Sequence, residues 1–232
     1  MASPSSTVII LCLMFLIALS LPLSNSYDLY VLSLTWTNGF CRVNKCIYLH
    51  PGINKGLVIH GLWPQNLNGV SEVRCSTVPF PNSIDHWPKL TTSQMNKYWP
   101  HLLRGWTNRQ FWDREWRLHG TCMYANENGR VRYPLHYFSA ALSQYFKYHG
   151  HVMEEQLGDS GLKRGSTYSR TKLVFELARI SEARADRIEL KCVNIGGIHY
   201  LTEVRIYIGL DGEIDNVKQP LLRSYCGDDI FI

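Results

Sequence analysis

The chain has 232 residues, 45% of them hydrophobic and 19% charged, enough for one sizeable core. No low-complexity linker or internal repeat divides it, which excludes a repeat array or a string of small domains. A net charge of +5 favours polyanionic partners without selecting one.

Residues 8–24 (VIILCLMFLIALSLPLS) are almost wholly apolar, lie close to the N-terminus and are soon interrupted by Pro22. Ser24 and Ser26 are small residues at the positions that precede a cleavage site. Residues 1–26 therefore read as a secretory signal peptide rather than a membrane anchor, although no Lys or Arg precedes the apolar run. A single domain over residues 27–232, secreted and with no membrane span once the signal is removed, is the expectation.

Tyr27 to Leu34 alternates as a first strand ending before Thr37-Asn38-Gly39, and Cys41 and Cys46 are placed to staple the loop that follows. Leu57 to Pro64 (LVIHGLWP) is a β-branched, apolar run closed by Gly61 and Pro64, a buried strand with His60 near its end. Residues 65–88 are polar and Pro-rich and read as long surface loops around Cys75, and Ser93 to Leu103 contains a short helix broken by Pro100. Phe111 to His119 reads as a helix that Gly120 stops. Its i, i+3, i+4, i+7, i+8 stripe is Phe111, Arg114, Glu115, Leu118 and His119, with Trp112 and Trp116 anchoring an adjacent face. Helices over Pro134–Tyr148 and Thr171–Arg184 flank a loop at Gly158–Gly165. Strands over Arg187–Val193 and His199–Leu210 follow, then a turn at Asp211-Gly212 and a last extended segment. Strands, then helices, then strands give an α+β domain: an antiparallel sheet packed with several helices.

Cys12 leaves with the signal peptide, so six cysteines remain: Cys41, Cys46, Cys75, Cys122, Cys192 and Cys226. An even set in a secreted chain argues for three disulfides, and their spacing does not choose among the about 15 pairings. There is no C-x-x-C pair and hence no signature of a structural zinc site.

A stripe that should be apolar but carries a guanidinium, a carboxylate and an imidazole needs partners or a task. Paired with His60 on a strand end, His119 and Glu115 supply the parts of a two-histidine acid/base catalyst. Imidazoles titrating near pH ~6.5 can deliver one proton and remove another under mildly acidic to neutral conditions.

The segments LVIHGLWP and FWDREWRLHGTC resemble the two signature segments of the ribonuclease T2 family. The likeness extends to Phe40-Cys41, Cys75, Tyr98-Trp99-Pro100, Tyr137-Phe138 with Ala141-Leu142, Gly161-Leu162 before Tyr168, and Cys192 with the closing strands. It implies cleavage of single-stranded RNA by transphosphorylation through a 2′,3′-cyclic phosphate, with no metal or other cofactor, by a monomer. It implies that His60 protonates the leaving 5′-oxygen, that His119 takes the proton of the attacking 2′-hydroxyl, and that Glu115 supports the developing charge. Phe111 and Trp63 would line the cleft where bases stack. The disulfides it implies are Cys41–Cys46, Cys75–Cys122 and Cys192–Cys226. RNA is required because the 2′-hydroxyl is the nucleophile.

Departures from the family pattern fall beside the second histidine. Arg114 stands where the family usually has His, and Leu118 where it has Lys. Arg114 can bind phosphate bidentately, whereas Leu118 removes a cation whose loss typically costs about 10²–10³ in rate. Thr35-Trp36-Thr37 replaces a usual Gln-Trp-Pro, which removes one base-contacting residue. Two rival readings are a non-catalytic storage or binding relative, favoured by Leu118, and a zinc hydrolase built on His60, Glu115 and His119. Against the second, Glu-x-x-x-His is not the H-E-x-x-H arrangement. His149 and His151 in a Gly-bearing loop read as solvated, and His50, His86, His101, His136 and His199 as structural.

Within the family the basic charge resembles the S-ribonucleases, pistil cytotoxins of self-incompatibility, rather than their acidic S-like relatives that serve phosphate recycling and defence. That likeness implies a recognition protein in pollen, with residues 65–80 the candidate surface. No Asn-x-Ser/Thr sequon occurs, although such proteins usually carry one.

Overall fold

The computed structural model describes residues 27–47, 57–71, 73–123, 133–214, 222 and 225–232; the signal-peptide segment lies outside them. Strands β1 (Leu29–Trp36) and β2 (Leu57–Gln65) form an antiparallel pair, and β1 pairs on its other side with β5 (Ile198–Gly209). The short β3 (Thr167–Ser169) and β6 (Asp229–Phe231) extend the sheet, and β4 (Ile188–Ile195) pairs with β5. The expected all-antiparallel sheet needs one correction: β6 runs parallel to β5 at His199 and Tyr200, where the C-terminal segment is drawn in beside them.

Helices α1 (Thr37–Val43), α2 (Lys89–Tyr98), α3 (Asn108–Glu115), α4 (Thr121–Met123), α5 (Pro134–Lys147), α6 (Met153–Asp159) and α7 (Arg170–Ile180) complete the α+β domain. Thr37-Asn38-Gly39 opens α1, so the segment that Cys41 and Cys46 staple is partly helical rather than a loop, and α2 begins directly after Pro88 and stops before Pro100. The segment read as surface loops around Cys75 is anchored inward by Phe80 and Trp87, both in the core. Three disulfides join Cys41 to Cys46, Cys75 to Cys122 and Cys192 to Cys226. No helix among the described residues is long and apolar enough to cross a membrane.

One face of the sheet carries the main core, where Leu34, Ile59, Leu62, Val204 and Ile206 meet Tyr137, Phe138 and Leu142 of α5. The opposite face carries a smaller cluster of Leu29, Val31, Trp63 and Tyr207. A strict period of two would send Ile59 and Leu62 to opposite faces. Both reach the core because the β1–β2 register slips by one: Ser33 opposes Gly61 and Leu34 opposes Ile59, so His60 is the extra, unpaired residue of a bulge. Two tyrosines of α5 hold the bulged strand. The Tyr145 hydroxyl donates to the Leu57 carbonyl at 3.0 Å, and the Leu62 amide donates to the Tyr137 hydroxyl at 3.5 Å.

Candidate active site

The helix expected over residues 111–119 starts earlier and runs further. Thr107 caps α3 by accepting from the Gln110 amide while the Gln110 side chain accepts from the Thr107 amide, a reciprocal box that fixes the first turn. Trp112 and Trp116 are buried, their indole N–H groups donating to the carbonyls of Trp99 (2.8 Å) and Val78 (2.9 Å). Gly120 does not stop the helix. Residues Trp116–Gly120 form a single π turn that leads into α4. Gly120 is needed there for close packing, since a Cβ would come within 2.4 Å of the Trp116 ring and 2.9 Å of the Tyr137 ring. Such widened turns recur at functional sites because they rephase the side chains that follow. Here Leu118 lines an outer groove with Arg114 and Arg117, while His119 turns inward to Trp63, its ring centroid 5.2 Å from the indole.

The bulge turns His60 to the same indole from the other segment, at 5.0 Å and nearly edge-on. The carbonyl of His60 accepts from the Trp99 indole at 2.9 Å, which fixes the bulge. Its imidazole Nδ1 lies 3.0 Å from Glu203 Oε2. Trp63 donates its indole N–H to Glu115 Oε2 at 3.0 Å, and Glu115 is buried. Gly61 makes this approach possible, because a Cβ there would lie 2.3 Å from the Trp63 indole nitrogen and 2.4 Å from the Glu115 carboxylate. His60, Glu115 and His119, distant in sequence, are thus gathered around one buried tryptophan. Trp63 itself is 7% exposed and packs against the two imidazoles and against the Arg205 guanidinium, 4.9 Å from its centroid. It offers no open face for a base and acts as the pillar of the site.

The charges behind His60 come from β5, and nothing in the sequence singled them out. Arg205 is bound by Glu203 and, at 3.3 Å, by Glu189 of β4, which also accepts from the Tyr207 hydroxyl at 3.1 Å. Burial works against protonation of His60, but the hydrogen bond to Glu203 and the charges of Glu115 and Glu203 outweigh it and raise the imidazole above its ordinary value. Burial would raise Glu203, but its partners His60 and Arg205 prevail and hold it down at about 2. Burial pushes the Glu115 carboxyl up, against the opposing pull of His60, the Trp63 N–H and Arg114. The Glu203 carboxylate therefore favours the protonated form of His60.

A cavity of about 360 Å³ opens in front of His60 and Glu115, lined also by Thr35, Phe111, His101 and Trp106. Phe111 packs 5.9 Å from His60 and 5.2 Å from His101, and His101 stacks on the half-exposed Trp106 at 5.4 Å. His101, read as structural, is buried, which lowers its imidazole, and its Nδ1 lies 3.1 Å from the Leu103 carbonyl. Thr35 also lines the cleft, so the departure from the usual Gln lies within the site. Among the described residues no group of three or more His, Cys, Asp or Glu side chains is arranged to hold a metal ion.

The Ribonuclease T2 family pattern matches residues 27–223. The chain belongs to the ribonuclease T2 family. It is 28% identical over 211 residues to ribonuclease S-3 of Pyrus pyrifolia, covering 86% of this chain and 87% of that one. A ribonuclease-like storage protein of Panax ginseng is 33% identical over 100 residues, 43% of this chain and 40% of that one. Ribonuclease MC1 from bitter gourd seeds superposes with a TM-score of 0.67 at 26% identity, covering 89% of this chain and all of that one. As a T2-family protein the chain carries both signature segments folded into one cleft, and its His60 and His119 sit within about 5 Å of one indole.

Proposed function

We propose that the protein is a secreted endoribonuclease that cleaves single-stranded RNA through a 2′,3′-cyclic phosphate. His119 takes the proton of the 2′-hydroxyl, whose oxygen attacks phosphorus. The bond from phosphorus to the 5′-oxygen breaks as His60 gives that oxygen its proton. The two protons balance, and hydrolysis of the cyclic phosphate reverses the roles. Glu115, which lines the cavity and is fixed by the Trp63 N–H, supports the charge that develops during the transfer. Arg114, at the rim of the cavity, supplies a permanent cation to the phosphate.

The observation that carries this reading is that His60, hydrogen-bonded to Glu203 and lining the open cavity, and His119 both pack within about 5 Å of the Trp63 ring. The test is initial-rate cleavage of polyuridylate and total RNA by the wild type and by His119→Ala, with and without EDTA. Loss in the variant with EDTA-insensitive wild-type activity supports the reading. Equal rates for the two proteins would end it.

The match to ribonuclease S-3 along most of both chains and the basic charge favour an S-ribonuclease role in self-incompatibility. Transcript restricted to the style supports that role; transcript in starved leaves or roots assigns the protein to the S-like group instead. Leu118 and the ginseng storage protein favour a second reading, a nuclease fold kept without catalysis. An inactive wild type that accumulates abundantly would establish it.

A further inference from the structure

A second cavity, of about 790 Å³, lies along the outer side of the catalytic helix and shares Trp106 and Arg114 with the cleft. Its charged lining is Arg74, Arg114, Arg117 and Asp113: three guanidiniums against one carboxylate, which is itself bound by Arg117 at 2.8 Å. This net positive charge is open to solvent and continuous with the place where a phosphodiester would react.

Arg74 is set in the groove by built structure. Its φ is 58°, a left-handed conformation that L-residues with long side chains rarely adopt. The strain is maintained by its amide donating to the Leu118 carbonyl at 2.9 Å and by the neighbouring Cys75–Cys122 disulfide, which ties the segment to the end of the catalytic helix. A backbone held in an unfavourable region by its surroundings is a mark of a positioned side chain. The π turn brings Leu118 to the same groove as an apolar floor, with Arg74 and Arg117 along it and Arg114 at the junction with the cleft.

We propose that this groove is an extended substrate subsite that binds phosphates of the RNA strand beyond the scissile one, with Trp106 at the junction offering a face to a base. Guanidinium forks suit phosphate oxygens bidentately, and a basic track next to an exposed aromatic ring is how single strands are held without sequence readout. The proposal rests on the ribonuclease reading, and its test separates the two.

The probe is a fluorescein-labelled 2′-O-methyl octanucleotide, which has no free 2′-hydroxyl, titrated by fluorescence anisotropy at several salt concentrations. Arg74→Gly with Arg117→Gln should weaken binding about tenfold and flatten the salt dependence by about 0.7 for each phosphate no longer neutralised. Arg74→Lys should retain most of the affinity. Single Arg74→Gly, at a φ that glycine adopts freely, should lose about threefold and guards against misfolding of the double variant. Rates on a dinucleoside monophosphate, too short to reach the groove, should stay within about twofold of wild type. Unchanged octanucleotide affinity and salt slope would overturn the proposal, as would an equal loss on the dinucleotide. Wild-type cleavage of the unmodified octanucleotide reports on the nuclease reading separately: an inactive protein whose affinity still depends on Arg74 sinks that reading and leaves the groove standing.

Discussion

Replacing Glu203 by Gln keeps the shape and the hydrogen-bond acceptor under His60 but removes the charge. The hydrogen bond is 3.0 Å long, and 35% of the His60 side chain is open to the cleft. A hydrogen bond to a charged group is worth about 1.5–3 kcal/mol, and solvent screening at a site this open selects the lower end. About 1.5 kcal/mol corresponds to about a tenfold change in equilibrium. The folded state raises the His60 imidazole, so the acid needed by the leaving group persists to higher pH than for a free imidazole. Removing the carboxylate lowers it, and the alkaline limb of kcat/KM must move toward acid. Initial rates of dinucleoside monophosphate cyclisation, measured across the titration range of the imidazoles, should show an unchanged acidic plateau and about a tenfold loss on the alkaline side. A uniform loss with the limb in its original place would refute the reasoning, because Glu203 would then be only structural or His60 would not be the acid.

The same carboxylate bears on stability. Held at about 2 against an ordinary 4.5, ionised Glu203 contributes stability that is present above 4.5 and lost as pH falls toward 2. Urea midpoints of wild type and Glu203→Gln should therefore converge on acidification through that window, with the wild type the more stable above it. Gly61→Ala would place a Cβ 2.4 Å from the Glu115 carboxylate. It should cost about 1–3 kcal/mol in urea unfolding by breaking the buried Trp63–Glu115 bond, and about 100-fold in kcat through misplacement of the site. Leu118→Lys adds a cation to the outer groove, while Arg114 already supplies one at the rim of the cleft. It should change dinucleotide kcat/KM by less than about threefold, a screened surface effect; a gain of about 100-fold would show that the natural residue cripples the site.

The strand bearing His60 and the helix bearing Glu115 and His119 were legible because each carries a local signal. One is a β-branched run ended by Gly and Pro, and the other is a helical stripe of the wrong polarity. The helix start was misplaced because Asn108, Arg109 and Gln110 give no apolar period, although Thr107 three residues before Gln110 is a capping signal that could have found it. Met153–Asp159 escaped as a helix because seven residues with glycine in the last turn carry too little period. Glu203 and Arg205 could not be found from sequence. They look like the polar face of an alternating strand, and only the register with β1 and β2 carries that face beneath His60. The bulge was hidden for a related reason, since it exists only in the pairing of two strands. Arg74 was passed over as one charge in a polar loop, because its left-handed backbone is not written in the residue type.

The strand that backs the site is laddered on both edges at the decisive positions: Glu203 faces Thr35 of β1 and Lys191 of β4, and Arg205 faces Ser33 and Glu189. Opening there would have to break two ladders together, so these amides belong to the last group to exchange with solvent. The dipoles and charges around the reacting phosphate are then already oriented before substrate arrives, and little reorganisation accompanies proton transfer. Breathing is left to the bulged outer strand and to the segments that line the groove.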